Sequence, residues 1–211
     1  MGRAQRVDDA RIIATARWLF LMHGHAVSTS EIARDVGIAE SALFKRFGSR
    51  EALFFAAMTP TPVPVEDVLG TRDDMYAIRD AEDARAWLHG VARALVQLCK
   101  DTLPCAWLVL GVTAPEPHVY ERWWRADPCR AVQAELAVRL VMLAEAGHIM
   151  AMDSNAAAQL LVAAARDVVF ANASLPPSRP SARALERRID GMLEQLWSGI
   201  ASRRRVGGWT G

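Results

Sequence analysis

Cysteine is scarce in this chain. It has three, Cys99, Cys105 and Cys129. An odd number without paired spacing speaks against a disulfide framework and against a structural zinc site. Buried thiols in a reducing cytoplasm are the expectation. An excess of one charge is missing too: 25 basic residues face 24 acidic ones, a formal charge of +1. Binding to nucleic acid must therefore rest on local charge, not on a globally basic surface. No uncharged apolar run reaches the ~18 residues of a membrane span. The first residues, MGRAQRVDDARIIATARWLF, carry charges where a leader peptide is apolar. Sustained period-two alternation and Asn-Gly or Asp-Gly turns are lacking, which argues against strands. There is no internal repeat, no phosphate loop, no metal-ligand spacing and no nucleophile paired with a base. A helical enzyme is therefore disfavoured, and no cofactor or metal is expected.

What is present is helical periodicity in a chain of 211 residues, 52% hydrophobic and 23% charged. That balance opposes disorder, and the length suits one large core or a small domain joined to a larger one. Ile12, Ala16, Leu19 and Phe20 form a first stripe, stopped at Gly24. "STSE" then reads as a capping box in which Ser28 and Glu31 exchange backbone bonds. Gly37 separates two short helices. Ser49 caps a fourth, with Leu53, Phe54 and Ala57 on its inner side. Next, "TPTPVPVEDVL" places Pro60, Pro62 and Pro64 in alternation, which predicts a stiff extended segment. Beyond it come larger stripes: Leu88, Val91, Ala92, Leu95 and Cys99; then Val132, Leu136, Leu140 and Leu143; then Leu160, Leu161, Ala164, Val168 and Val169; then Leu185, Ile189, Met192, Leu196 and Ile200. Pro104, Pro115 and Pro117 bracket a short apolar segment among them. The predicted fold is all-α, with domains at 1–58 and 82–211 joined by a proline-rich connection at 59–81.

The helix, Gly37 turn and second short helix form a helix-turn-helix. Ile32, Ala33, Ile38, Leu43 and Phe47 can seal it. That leaves Glu40, Ser41, Ala42, Phe44, Lys45 and Arg46 on the open face of the second helix. A major groove accepts one helix and offers acceptors to Lys and Arg. The start of the fourth helix, with Arg50, offers N–H groups and charge to a phosphate. By spacing alone, Lys45 and Arg46 fit a solvated helix surface equally well.

Residues from about 9 to 58 resemble the DNA-binding domain of the TetR family of bacterial regulators. The likeness runs through "ARWLFLMHG", "STSEIARDVGIAESALFKRF" and "GSREALFFAAM". It follows the family order in Ile32-Ala33, Gly37-Ile38-Ala39, Ala42-Leu43-Phe44, Lys45, Arg46-Phe47 and Ser49-Arg50-Glu51-Ala52-Leu53. The resemblance implies duplex DNA as partner, with Ser28 or Thr29, Lys45, Arg46 and Arg50 as phosphate or base contacts and Ser41 as a weaker base contact. This chain departs from the pattern at several places. Ala39 replaces a serine, so the recognition helix lacks a side-chain cap. Phe44 replaces a tyrosine and can only pack on sugar or neighbours. Ala42 replaces a threonine and offers a methyl group without a hydrogen bond. Those departures leave open a helical dimer or adaptor that keeps the fold without a ligand-gated operator.

The resemblance also implies a helical effector domain and a homodimer built on the last two helices. Leu161, Ala164, Val168, Leu185, Ile189, Met192 and Leu196 are the expected interface, although periodicity does not say whose core a stripe joins. The implied protein is a ligand-responsive repressor on a palindromic operator, released by a small apolar or amphipathic effector. Candidate pocket walls are Trp87, Trp107, Leu110, Tyr120, Trp123, Trp124, Met142 and Phe170, each of which also fits an ordinary core. His89, His118 and His148 are single histidines, read as surface or satisfied core groups.

Overall fold

We describe a computed structural model of the chain over residues 7–112, 117–174 and 182–201. The predicted fold class holds: the elements are helices, and among the described residues no strand occurs, only an isolated bridge between Ile149 and Ala201. Packing divides the chain into two units, Met1–Pro62 with Thr102–Asp127, and Val63–Asp101 with Pro128–Gly211. The chain first passes between them within the proline run.

In the first unit, α1 (Asp9–His23) starts at Asp8, whose carboxylate accepts from the Arg11 N–H at 2.8 Å. A 3-10 turn (Gly24–Ala26) leads to α2 (Thr29–Val36). The capping box forms as the sequence dictates. Glu31 N–H donates to Ser28 Oγ at 3.2 Å, and Ser28 N–H donates to the Glu31 carboxylate at 2.8 Å. These bonds hold the Glu31 carboxyl below its usual range, the Ser28 backbone bond contributing most. Gly37 ends α2 at φ +82°, a left-handed conformation that resists a Cβ even where space is open. The second helix, α3 (Glu40–Phe47), has no side-chain cap at Ala39, as expected. α4 (Arg50–Met58) is capped by Ser49 Oγ, which accepts from Ala52 N–H at 3.0 Å.

The core of this unit joins Ile12, Ala16 and Phe20 of α1 to Ile32 and Ala33 of α2, Leu43 of α3, and Leu53, Ala57 and Met58 of α4. Cys105, Val109 and Trp123 complete it. The end of α4 is held by side chains from far along the chain. Arg17 donates to the carbonyls of Ala57 and Thr59, both at 2.6 Å, and Trp123 Nε1 donates to the carbonyl of Met58 at 2.8 Å. Terminal carbonyls of a helix have no partner of their own, so these three bonds fix where α4 stops.

Past α5 (Glu66–Leu69) and α6 (Arg72–Tyr76), α7 runs unbroken from Ala81 to Leu110. This corrects one expectation, since Pro104 lies inside the helix and does not bound a separate segment. An internal proline costs about 3 kcal/mol. Here Cys105 and Val109, just beyond it, are both buried, and their burial opposes that cost. The remaining helices are α8 (Pro117–Arg125), α9 (Pro128–Glu145), α10 (Ser154–Ser174) and α11 (Ala182–Ile200).

The second unit packs α10 against α9 and α11, with α5 and α6 also on α9. Leu88, Leu95, Val132, Leu136, Leu140, Leu143, Leu161 and Val168 are buried, so most of each of these stripes faces inward, while Leu160, read into the same stripe as Leu161, is exposed. One charged side chain shares that interior. Arg139, 1% exposed, donates to Glu135 at 2.9 Å, to the Thr71 carbonyl at 2.6 Å and to the Gly70 carbonyl at 3.2 Å. Glu135 also takes a two-pronged pair from Arg72, at 2.8 and 2.7 Å. Hydrogen bonding from Arg72 is the chief cause that pulls the Glu135 pKa down to about 2. On α7, His89 is a satisfied group, its ring nitrogens each 3.2 Å from a carboxylate oxygen, of Asp190 and of Glu194. His148 is half-buried, and the side chain of His118 lies outside the described residues.

Candidate nucleic-acid interface

The open face of α3 begins with the alternation of its sequence. Leu43 is 1% exposed and Phe47 packs on the same core, which turns Ser41, Phe44 and Lys45 outward. Ala42 is half-buried between the two faces. Phe44 is 44% exposed, a large apolar ring left in solvent. The Lys45 side chain makes no hydrogen bond among the described residues, so its ammonium is available to an anion. Small side chains in the first turn and a long cation in the second are what a helix needs to approach a groove and hold a phosphate.

Arg46 stands differently from the expectation. Its guanidinium donates to the Val7 carbonyl at 2.7 Å and lies 3.3 Å from the Asp9 carboxylate. It ties α3 to the start of α1 and is part neutralised there. Arg50 does not stand free either. It donates to the carbonyls of Val27 (3.0 Å) and His25 and lies over the Phe20 ring, 5.6 Å from its centre. A delocalised cation suits that stacked, forked role. The Thr29 side chain is buried, and its hydroxyl donates to the Glu40 carboxylate. The Ser28 hydroxyl is part of the capping box and lies 2.9 Å from Ser30 Oγ. For Thr29, Arg46 and Arg50 the partners lie 11 to 39 residues away, where sequence spacing cannot show them; the Ser28 bond to Glu31 is local and was expected. Spacing placed Glu40 on the open face but gave no sign that Thr29 reaches it.

The candidate pocket residues divide between the two units. Trp123 is 4% exposed within the core of the first unit, its indole already bonded to Met58. Tyr120 is half-buried and stacks on Trp124, 6.4 Å between ring centres and 12° between planes. Trp107 is half-buried and Leu110 is exposed at the end of α7. In the second unit, Trp87 is half-buried and donates to the Leu69 carbonyl at 3.1 Å, Met142 is half-buried, and Phe170 is exposed.

The expected interface helices sort into two groups. Leu161, Val168 and Ile189 are buried within the single chain, and Leu161 also borders the groove between α10 and α11. Ala164, Met192 and Leu196 remain half-exposed, joined by the exposed Leu160. Leu160, Ala164, Met192, Leu193 and Leu196 line an apolar groove of about 530 Å³ between α10 and α11. The Leu185 side chain lies outside the described residues.

Among the described residues, no group of three or more His, Cys, Asp or Glu could hold a metal, and no helix is long and apolar enough to cross a membrane.

Comparison with known proteins bears on the whole arrangement. Residues 12–57 match the family described as bacterial regulatory proteins, tetR family. Residues 87–195, more than half of the chain, match the AefR-like transcriptional repressor, C-terminal domain. Curated proteins give no significant match. Among solved structures, a proposed TetR-family regulator from Mesorhizobium loti MAFF303099 is similar at TM-score 0.66 and 21% identity, covering 92% of this chain and 96% of that one. A transcriptional regulator from Rhodococcus sp. Rha1 gives 0.64 at 16% identity, covering 92% and 98%. The fatty acid degradation regulator FadR from Bacillus halodurans gives 0.57 at 16% identity, covering 91% and 99%. Identities this low establish shared fold. The two family matches, on a helix-turn-helix whose second helix opens to solvent, settle the rest: the chain belongs to the TetR family of bacterial transcriptional regulators, non-enzymatic proteins that bind DNA.

Proposed function

We propose that this regulator is a ligand-responsive repressor. It binds a two-fold symmetric operator as a homodimer and releases it when a small apolar or amphipathic effector binds the larger helical unit. The observation that carries the reading is the open face of α3, where Ser41, Phe44 and Lys45 point outward over a sealed core. Pairing through the α10–α11 groove is favoured by its apolar lining, a surface a soluble monomer rarely leaves uncovered. Two recognition helices roughly 34 Å apart then read both halves of one operator. An effector that binds better to a dimer with the wrong helix spacing lowers DNA affinity by that preference.

The test is an electrophoretic assay on the DNA upstream of the regulator's own gene, across a salt series. Binding should weaken steeply with salt. Replacing Lys45 with alanine should weaken all sequences alike and reduce the salt slope by about 1. Replacing Arg46 should act mainly through stability, since its guanidinium is held by Val7 and Asp9. Salt-independent binding, or none, would remove the operator-binding reading.

A further inference from the structure

We propose that Glu40 is a specificity-determining residue that selects cytosine at one position of each operator half-site, and that Thr29 positions it. This rests on the reading that α3 enters a major groove. Glu40 is the first residue of α3 and is exposed, in the turn it shares with Ser41 and Ala42. The N-terminal residues of a recognition helix are the ones that reach base edges. Its carboxylate does not cap its own helix. It turns instead toward α2, where the Thr29 hydroxyl donates to Oε1. Thr29 is 8% exposed and opens a helix that the Ser28–Glu31 box pins in place. The carboxylate is thus aimed by a fixed donor, and Oε2 takes no hydrogen bond among the described residues.

A carboxylate can only accept. Phosphates repel it, and so do the O6 and N7 of guanine and the O4 of thymine. Of the groups on a major-groove floor, only the exocyclic amines of cytosine and adenine attract it. Adenine sets its N7 acceptor beside that amine, so a carboxylate there meets attraction and repulsion together. Cytosine N4 carries no such neighbour on its own base and is the better match. The same charge discriminates by exclusion, because wrong bases face a negative group that has lost water. The acid at the head of a DNA-reading helix is thereby explained: it weakens binding to DNA in general and sharpens the choice of site.

The experiment selects bound duplexes from a random pool with the full-length wild type, then measures affinities for every single-base change in the selected half-site. For the wild type, cytosine should be required at one position, and replacing that C·G by T·A should cost about tenfold to a hundredfold. E40A should bring that ratio near one, leave the other positions unchanged, and bind unrelated DNA more tightly than wild type. E40Q should move the preference toward adenine, which a Gln amide pairs with in two bonds. T29V, which keeps the shape and removes the donor, should broaden the same position alone, and it serves if E40A folds poorly. Identical base preferences in wild type, E40A and T29V would overturn the proposal. So would a uniform loss across all sequences, the result of a merely structural role. A wild type that selects no sequence would overturn the operator reading itself, and the Glu40 proposal with it.

Discussion

Arg139 offers the sharpest test of how the second unit is held. It is 1% exposed and has three partners: the Glu135 carboxylate and the carbonyls of Gly70 and Thr71. Removing one member of a buried pair costs about 3–5 kcal/mol, mostly because the other charge stays buried without its counter-ion. The two members are not equivalent here. If Glu135 becomes alanine, Arg139 keeps two carbonyls and only the weaker, unbonded pull of the Asp74 carboxylate, so the loss should fall near the low end of that range, about 3 kcal/mol. If Arg139 becomes methionine, Glu135 still has Arg72, and the new side chain fills most of the old volume. That loss should be smaller, about 1–3 kcal/mol, from hydrogen bonds no longer made to Gly70 and Thr71. Arg72 has a side chain 62% exposed, so solvent screens its pair with Glu135 and its replacement by alanine should cost about 1 kcal/mol or less. The measurement is urea unfolding followed by far-ultraviolet circular dichroism, at pH 7, at one protein concentration and with equal slopes. The expected order of loss is E135A, then R139M, then R72A. If R139M costs as much as E135A, or R72A costs as much as either, the argument from an uncompensated buried charge is wrong.

The same network predicts an acid dependence. The folded pKa of Glu135, about 2, lies below its ordinary 4.5, so its contribution is complete above about pH 4.5 and is lost as pH falls toward 2. Allowing for residual exposure, the contribution is on the order of 2 kcal/mol, and E135Q should flatten the stability profile across that interval. In the first unit, W123F removes the donor to the Met58 carbonyl while keeping a large ring. A loss of about 1–3 kcal/mol in urea unfolding is expected, and a change below the error of the fit would show that water replaces the indole. Replacing Pro60, Pro62 and Pro64 together with alanine relaxes the connection between the units, so the effector should release operator less completely in an electrophoretic assay. Release equal to wild type would show that coupling does not pass through this segment.

Much of the first unit was legible because its signals are local. The Ser28–Glu31 box, the turn at Gly37, the missing cap at Ala39 and the cap at Ser49 each depend on residues within a few positions, where spacing alone fixes the geometry. The inward stripes followed from the helical period for the same reason. Pro104 was misread because a local rule, that proline ends helices, was outweighed by burial further along the chain. Arg139 left a signal that went unread. It falls in step with Val132, Leu136 and Leu143, an inward position where a charge demands a buried partner.

The sequence by itself determined the helices and caps of the first unit up to Met58, the helix-turn-helix and the family, since all of these are set by neighbours in the chain or by a pattern in register; α5 and α6, within the proline-rich connection, were not legible in it. The tertiary structure alone decided which of the first unit's charges are engaged inside the fold. Lys45 and Arg46 are adjacent in sequence, yet one faces solvent and the other is held by Val7 and Asp9; Arg50 and Thr29 are likewise taken up, by Val27 and His25 and by Glu40. A cation or hydroxyl is less available to an outside partner once acceptors inside the fold engage it. Those acceptors are brought near by packing between helices, which no spacing along the chain records.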